Sequence, residues 1–293
     1  MTRIAVVGAG GMLGADLMTV LRTHSPTGFT KADLDITDSK AVTVALQGFD
    51  IVINAAAYTR VDEAETQRDL AFAVNAKGPK HIAQACARYE QRMIHVSTDY
   101  VFDGKASSPY KTHHSPRPQS VYGTSKAEGE AHVSKFLPDS SMIVRTGWLY
   151  GQSESNFVST ILSLSQTRDT MHVVDDQIGQ PTWSQDVAHM IENLIASDTR
   201  SGIFHGTNSG HTSWWSFAQR IFITAGLDPE RILATTSADF FRPAPRPAWS
   251  VLDHADWNLQ GLPEPRSWEN AFAEAWDTLF ANYYSNLLKA PGS

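Results

Sequence analysis

Four short apolar runs punctuate the first half of the chain, at Ile4–Val7 and at residues 50–54, 93–97 and 141–145. Each is only four or five residues long and is apolar at consecutive positions, as a strand buried on both faces of a parallel sheet must be. Between them the apolar positions take helical spacing, over about 13–22, over about 69–89 and through the stretch that holds Lys126. A weaker strand, poor in apolar residues, is expected around 27–30. Strands alternating with helices predict an α/β fold of the Rossmann type, a doubly wound parallel sheet covered on both sides. Beyond Trp148 the pattern loosens. Gly, Pro, Trp and His become frequent, and 240–247 is rich in proline and arginine. Residues 1–148 are therefore expected to form the nucleotide domain, with the chain returning to the sheet at 171–175 inside a segment near 170–195. Residues 149–169 and 196–293 are expected to be mainly a smaller α/β substrate-binding lobe.

The net charge of −7 argues against general attraction to nucleic acid or to an anionic membrane, both of which call for a basic surface. No apolar run is long enough to span a bilayer, and the chain passes from Met1 almost directly into a strand, so a cytoplasmic protein is expected. Cys86 is the sole cysteine, which rules out an intrachain disulfide; it sits among apolar helix positions and reads as a small buried filler. His113 and His114 are adjacent but have no carboxylate or cysteine cluster near them, so no metal is expected.

Gly8-Ala9-Gly10-Gly11-Met12-Leu13-Gly14 closes the first strand and opens the first helix. Gly8, Gly11 and Gly14 fit Gly-x-x-Gly-x-x-Gly, where missing side chains permit a tight turn, close approach to a diphosphate and close helix–strand packing. The acidic residue expected about 20 positions on to bind ribose hydroxyls is Asp33 or Asp35. Lys31 pulls toward a 2′-phosphate instead, which leaves NADH against NADPH open.

Tyr122 and Lys126 stand four apart on one helical face, and Ser97-Thr98-Asp99-Tyr100 ends a predicted strand 24 residues before the tyrosine. Ketone reduction needs a hydride on carbon and a proton on oxygen. Tyrosine can supply that proton, but with an ordinary pKa of about 10 it is slow near neutrality, and a lysine one turn away is expected to bring it down. The Thr98 hydroxyl can hydrogen-bond the carbonyl.

These residues resemble the extended short-chain dehydrogenase/reductase superfamily and, within it, the dTDP-4-dehydrorhamnose reductases. The likeness runs through Asn54-Ala55-Ala56-Ala57-Tyr58-Thr59, Val61-Asp62-Glu63-Ala64-Glu65, Ser97-Thr98-Asp99-Tyr100-Val101-Phe102, Val121-Tyr122-Gly123-Thr124-Ser125-Lys126, Arg145-Thr146-Gly147-Trp148, Asp175-Asp176-Gln177 with Pro181-Thr182, and Arg246-Pro247-Ala248-Trp249. The Tyr–Lys pair marks only the superfamily; the Ser-Thr-Asp-Tyr-Val-Phe and Asp-Asp-Gln blocks are more specific. The resemblance implies that Thr98, Tyr122 and Lys126 are catalytic, with Tyr122 the proton donor. It places Gly8, Gly11, Met12, Leu13 and Gly14 at the diphosphate, Asp35 and Ile36 near the adenosine, and Ala55, Ala56, Ala57, Tyr58 and Thr59 toward the nicotinamide of NADPH or NADH, with Tyr122 and Lys126 also at the cofactor. Thr98, Asp99, Tyr100, Trp148, Asn156 and Arg246 are implied to face a dTDP-sugar substrate. A monomer or homodimer is expected.

Three other functions compete. One is a 4-ketoreductase for a different dTDP-deoxysugar, whose motifs are shared. Another is a 4,6-dehydratase, disfavoured because Tyr100 follows Asp99 where such enzymes carry glutamate. The last is a non-catalytic NADP-binding regulatory subunit, disfavoured by the intact Thr98–Tyr122–Lys126 set. Trp148 can alternatively pack the seam between the halves. Thr212–Trp215 reads as a helix cap followed by packing residues, and Asp62, Glu63 and Glu65 as a solvated helix start.

Overall fold

In a computed structural model of the chain, which describes residues 2–152 and 155–289, the apolar runs become the centre of one six-stranded sheet. Its strands are β1 (Ile4–Val7), β2 (Thr27–Phe29), β3 (Ile51–Asn54), β4 (Arg92–Thr98), β5 (Ser141–Thr146) and a last strand, Gly202–His205. Their order is β2-β1-β3-β4-β5 followed by Gly202–His205, and every pairing is parallel. Successive residues alternate between two cores. Ile4, Val6, Ile53, Ile94 and Val144 meet Leu13, Leu17, Val187 and Ile191 on one face. Ala5, Val7, Val52, Met93 and Ile143 meet Val42, Leu46, Ile82, Cys86 and Val133 on the other. Both faces are thus buried, which is why these strands carry no polar alternation.

The helical stretch at 69–89 is present but broken: a one-turn π-helix at Ala73–Lys77 separates Arg68–Phe72 from Gly78–Arg88. Such bulges are frequent at functional sites, and this one holds the buried Asn75.

The return to the sheet differs from expectation. Met171–Val174 does not join it; it pairs with Ile232–Thr235 in a separate two-stranded sheet. The physical reason is visible in its burial: Met171 is buried and His172 exposed, a one-sided pattern unfit for the sheet interior. The strand that returns is Gly202–His205, preceded by the helix Ser184–Ala196, which packs on the first helix, Met12–Val20. A third core, around Tyr150, Trp183, Phe217, Phe222 and Phe272, lies within the second half of the chain. No described helix is long and apolar enough to cross a membrane.

Candidate active site

The strand order reverses between β1 and β3, and the loops leaving those two strands lie side by side, as at the ligand crevice of an open α/β sheet. Gly8 stands at φ +89°, and a Cβ there would lie 2.5 Å from the Ala56 nitrogen; a Cβ at Gly14 would lie 2.0 Å from the Gly8 carbonyl oxygen. Only glycine permits either approach. Gly11 is the N-cap of Met12–Val20 and brings no side-chain cap, so the positive end of that helix is left for a ligand anion. This cradle fits the diphosphate of a dinucleotide. Asp35, expected near the adenosine, accepts hydrogen bonds from the Thr37 amide at 2.9 Å and hydroxyl at 2.8 Å, which hold its carboxyl below the ordinary range. Asp33 is taken up in the same manner by Thr30. Ile36 is buried, packed where Gly78 lacks a side chain.

Beyond β3, Ala55 bonds the Val7 carbonyl and Ala56 the Asn54 side chain. Tyr58 is gripped through its backbone: Asn75 Oδ1 accepts its N–H at 2.8 Å, and Asn75 Nδ2 donates to its carbonyl at 3.0 Å and to Ser125 Oγ at 3.1 Å. Asn75 thereby ties the 55–59 loop to the helix of Tyr122. Sequence reasoning missed it, although a lone asparagine amid apolar helix positions was a signal.

Thr98 ends β4, and Tyr122 and Lys126 lie on the helix Val121–Phe136, capped by Ser120. The structure brings the three together. The Thr98 hydroxyl favours the Tyr122 phenolate, but burial, with the Asp99 charge, outweighs it and pushes the phenol up to about 12. Lys126 is buried and donates to the Val96 carbonyl at 2.6 Å, and loss of water lowers its ammonium to about 8 against the opposing pull of Glu130. The expected lowering of the tyrosine by lysine is therefore absent: with Lys126 turned to Val96, desolvation wins. Glu130 is itself held by a buried two-pronged ion pair with Arg145, at 2.9 and 2.7 Å, which couples the Lys126 helix to β5.

The residues expected at the sugar divide. Asp99 is buried directly beside Thr98, and Tyr100 packs edge-on against Tyr122 with ring centres 5.5 Å apart. Arg246 belongs to the proline-rich strap; it borders a cavity of about 250 Å³ shared with Tyr100, Lys105, Gln119 and Ser120. Its guanidinium is engaged by Asp62 at 2.5 and 2.9 Å. Asn156 caps the helix Phe157–Leu164 and donates to the Gly151 carbonyl, on the wall of a cavity of about 590 Å³ that extends to Phe280 and Tyr283. Trp148 adopts φ +51° and stacks face to face on Trp214 at 3.5 Å, bridging the end of β5 to the third core.

The acidic run at 62–65 is not a solvated helix start throughout. Asp62 anchors the strap, and Glu65 accepts the Val121 N–H at 2.9 Å; only Glu63 stays on the surface, against Arg60. Their partners lie far away in sequence, so nothing local marked them.

Comparison with known proteins places this arrangement. A family model described as the RmlD substrate binding domain matches residues 1–280. The chain belongs to this family. The dTDP-4-dehydrorhamnose reductase of Streptomyces griseus is 44% identical over 285 residues, 94% of each chain. A dTDP-4-keto-6-deoxy-D-glucose reductase of Streptomyces niveus is 40% identical over 284 residues, 96% of this chain and 98% of that one. The dTDP-4-dehydrorhamnose reductase of Bacillus anthracis, solved in complex with NADP, superposes with a TM-score of 0.90 at 36% identity, covering 95% of this chain and all of the other. The RmlD family is thus the one its motifs resembled, and membership covers both the sheet and the second half.

Proposed function

We propose that this protein reduces the 4-keto group of dTDP-4-dehydro-L-rhamnose to give dTDP-L-rhamnose, with NADPH as reductant. The observation that carries it is Thr98 beside Tyr122 with Lys126 one turn on, at the strand ends next to a diphosphate cradle. The Bacillus anthracis relative binds NADP, which favours NADPH; the carboxylate of Asp35 keeps NADH as the alternative. The reading includes a cytoplasmic monomer or homodimer, and a division into a cofactor domain and a substrate lobe supported by the separate apolar core around Tyr150 and Phe217.

When bound, the reduced nicotinamide supplies hydride to the sugar C4. Tyr122, kept protonated by burial, hands its proton to the ketone oxygen as that oxygen gains charge. Lys126 stands one helical turn away, and its cation offsets the phenolate left behind. Thr98 orients the carbonyl. Asn75 fixes the 55–59 loop against Ser125, and so sets the distance between the cofactor side and the tyrosine helix. The strap held by Asp62 and Arg246 closes the sugar side and excludes water.

The Streptomyces niveus relative favours a second substrate, another dTDP-4-keto-6-deoxyhexose. Incubation with dTDP-4-dehydro-6-deoxy-D-glucose and NADPH, with and without a 3,5-epimerase, separates the two. Oxidation of NADPH only with the epimerase supports the rhamnose product; oxidation without it supports the second substrate. No oxidation of either cofactor in either mixture contradicts both, and leaves the regulatory-subunit function.

A further inference from the structure

Thr98 has one proton to give, and the structure accounts for it. Its oxygen accepts the Tyr100 N–H at 3.2 Å. Its proton goes to Asp99 Oδ1 at 2.9 Å. With the chain arranged so, Thr98 has no proton left for a ketone. Its hydroxyl points away from the place where it is needed.

One added proton reverses this. If the carboxyl of Asp99 carries a hydrogen, it donates to Thr98, and Thr98 can then donate onward. The surroundings of Asp99 suit the neutral form. Its side chain is buried, and a Cβ at Gly147 would lie only 2.6 to 2.9 Å from the carboxyl atoms, so the group is sealed against that backbone. Oδ2 is buried with no hydrogen-bond donor on it. The neighbouring Ser250 hydroxyl makes a long 3.4 Å contact with the Ile178 carbonyl and, like Thr98 and the adjacent backbone, favours the charged form of Asp99, but burial outweighs them. No cation pairs with Asp99. From the helix it meets Tyr122 and from its own turn Tyr100, both held neutral by burial; the charged Asp62–Arg246 pair stands behind Tyr100 and is mutually satisfied, and Lys126 is turned to Val96. A buried carboxylate with one oxygen left unpaired is costly.

We propose that Asp99 is a positioning residue that works in its protonated form, donating to Thr98 so that Thr98 presents its own proton to the substrate ketone beside that of Tyr122. Desolvation already pushes its carboxyl up to about 6 in the ligand-free chain, and bound diphosphates, which are anionic and displace water, push it further the same way. The inference rests on the proposed ketoreductase activity, but the state of Asp99 can be read without it.

The tests are infrared difference spectroscopy of wild type against Asp99→Asn, and the pH profile of kcat. The wild-type spectrum should contain the C=O band of a protonated carboxyl that Asp99→Asn lacks, and NADPH with dTDP should carry its disappearance upward by about one pH unit or more. In turnover, wild type should slow as pH rises through that transition. Asp99→Asn, whose amide still donates to Thr98, should lose that limb of the profile. Asp99→Ala, which leaves Thr98 undirected, should drop kcat about 10²–10³-fold. Absence of the carboxyl band, a downward shift on ligand binding, or an Asp99→Asn variant as slow as Asp99→Ala would overturn the proposal. If wild type reduces no dTDP-4-keto sugar, the ketoreductase function fails, while the infrared band still decides the state of Asp99.

Discussion

The carboxylate of Glu65 accepts the backbone N–H of Val121 at 2.9 Å, across 56 residues of sequence. Val121 opens the helix that carries Tyr122 and Lys126, and Ser120 Oγ accepts the Gly123 N–H of the same turn. Two donors that a helix start leaves unpaired are thus satisfied, one of them from outside. Three residues before Glu65, Asp62 holds the strap through Arg246. The turn that follows Tyr58 and Thr59 therefore fastens both walls of the site.

Removing that cap should loosen the helix start without touching the cofactor cradle. Glu65→Ala is expected to cost about 1 kcal/mol of stability and to lower kcat, with NADPH affinity unchanged. Glu65→Gln, whose amide oxygen still accepts, should recover most of both. Urea unfolding and steady-state kinetics on the two variants check this, and equal loss in both would show that charge rather than the hydrogen bond matters.

Lys126 is expected to act on both the tyrosine and the cofactor. Lys126→Met should lower turnover and weaken NADPH binding together, which fluorescence titration of the cofactor measures. Unchanged NADPH affinity would confine Lys126 to an electrostatic role at Tyr122.

The Trp148–Trp214 stack gives the seam a measurable contribution. Both indoles are only half buried, so Trp148→Ala should lose somewhat less than the roughly 3–5 kcal/mol of a fully buried aromatic, visible as a lower melting temperature. Trp214→Ala should reproduce the stability loss. If Trp148 also contacts the sugar nucleotide, its KM should rise in Trp148→Ala more than in Trp214→Ala; equal KM changes would make it a seam residue alone.

Much of the sheet was legible because β1, β3, β4 and β5 are buried on both faces and therefore apolar at consecutive positions. The second half was not. Leu149–Tyr150, Ile178–Gly179, Thr182–Trp183 and Thr212–Ser213 are two-residue strands, too short to show any period. Met171–Val174 looked more like a sheet strand than Gly202–His205 did, since hydrophobic content cannot reveal which pairing a strand takes. The candidate site divides the same way. Tyr122 with Lys126, and the glycines of the first loop, announce themselves by local spacing. Glu65 with Val121, Asp62 with Arg246 and Glu130 with Arg145 are joined only by the fold.

Acid should destabilise the protein through its buried histidines. His205 and His254 lie in the interior, where desolvation lowers them from 6.5 to about 3 and about 4. Between those values and 6.5 the unfolded chain binds protons that the folded chain does not, so stability is complete above pH 6.5 and declines as pH falls, by about 1.4 kcal/mol per unit for each histidine. Asp99, raised to about 6, works in the opposite direction between 3.8 and 6 but is a single group. The melting temperature should fall from pH 7 to pH 5, and fall less in His254→Gln. A flat or rising melting temperature over that interval would contradict the assignment of neutral buried histidines.

The assignment of Tyr122 as proton donor stands at the centre, and one comparison tests it most directly. Tyr122→Phe keeps the ring, its edge-on packing against Tyr100 and the helix, and removes only the hydroxyl. Stopped-flow absorbance of NADPH, with saturating dTDP-4-dehydro-L-rhamnose, should show oxidation slowed about 10²–10⁴-fold. NADPH affinity should stay within about twofold of wild type, because a lone hydroxyl contributes little to binding the rest of the cofactor. Oxidation of NADPH by Tyr122→Phe at the wild-type rate would contradict the assignment.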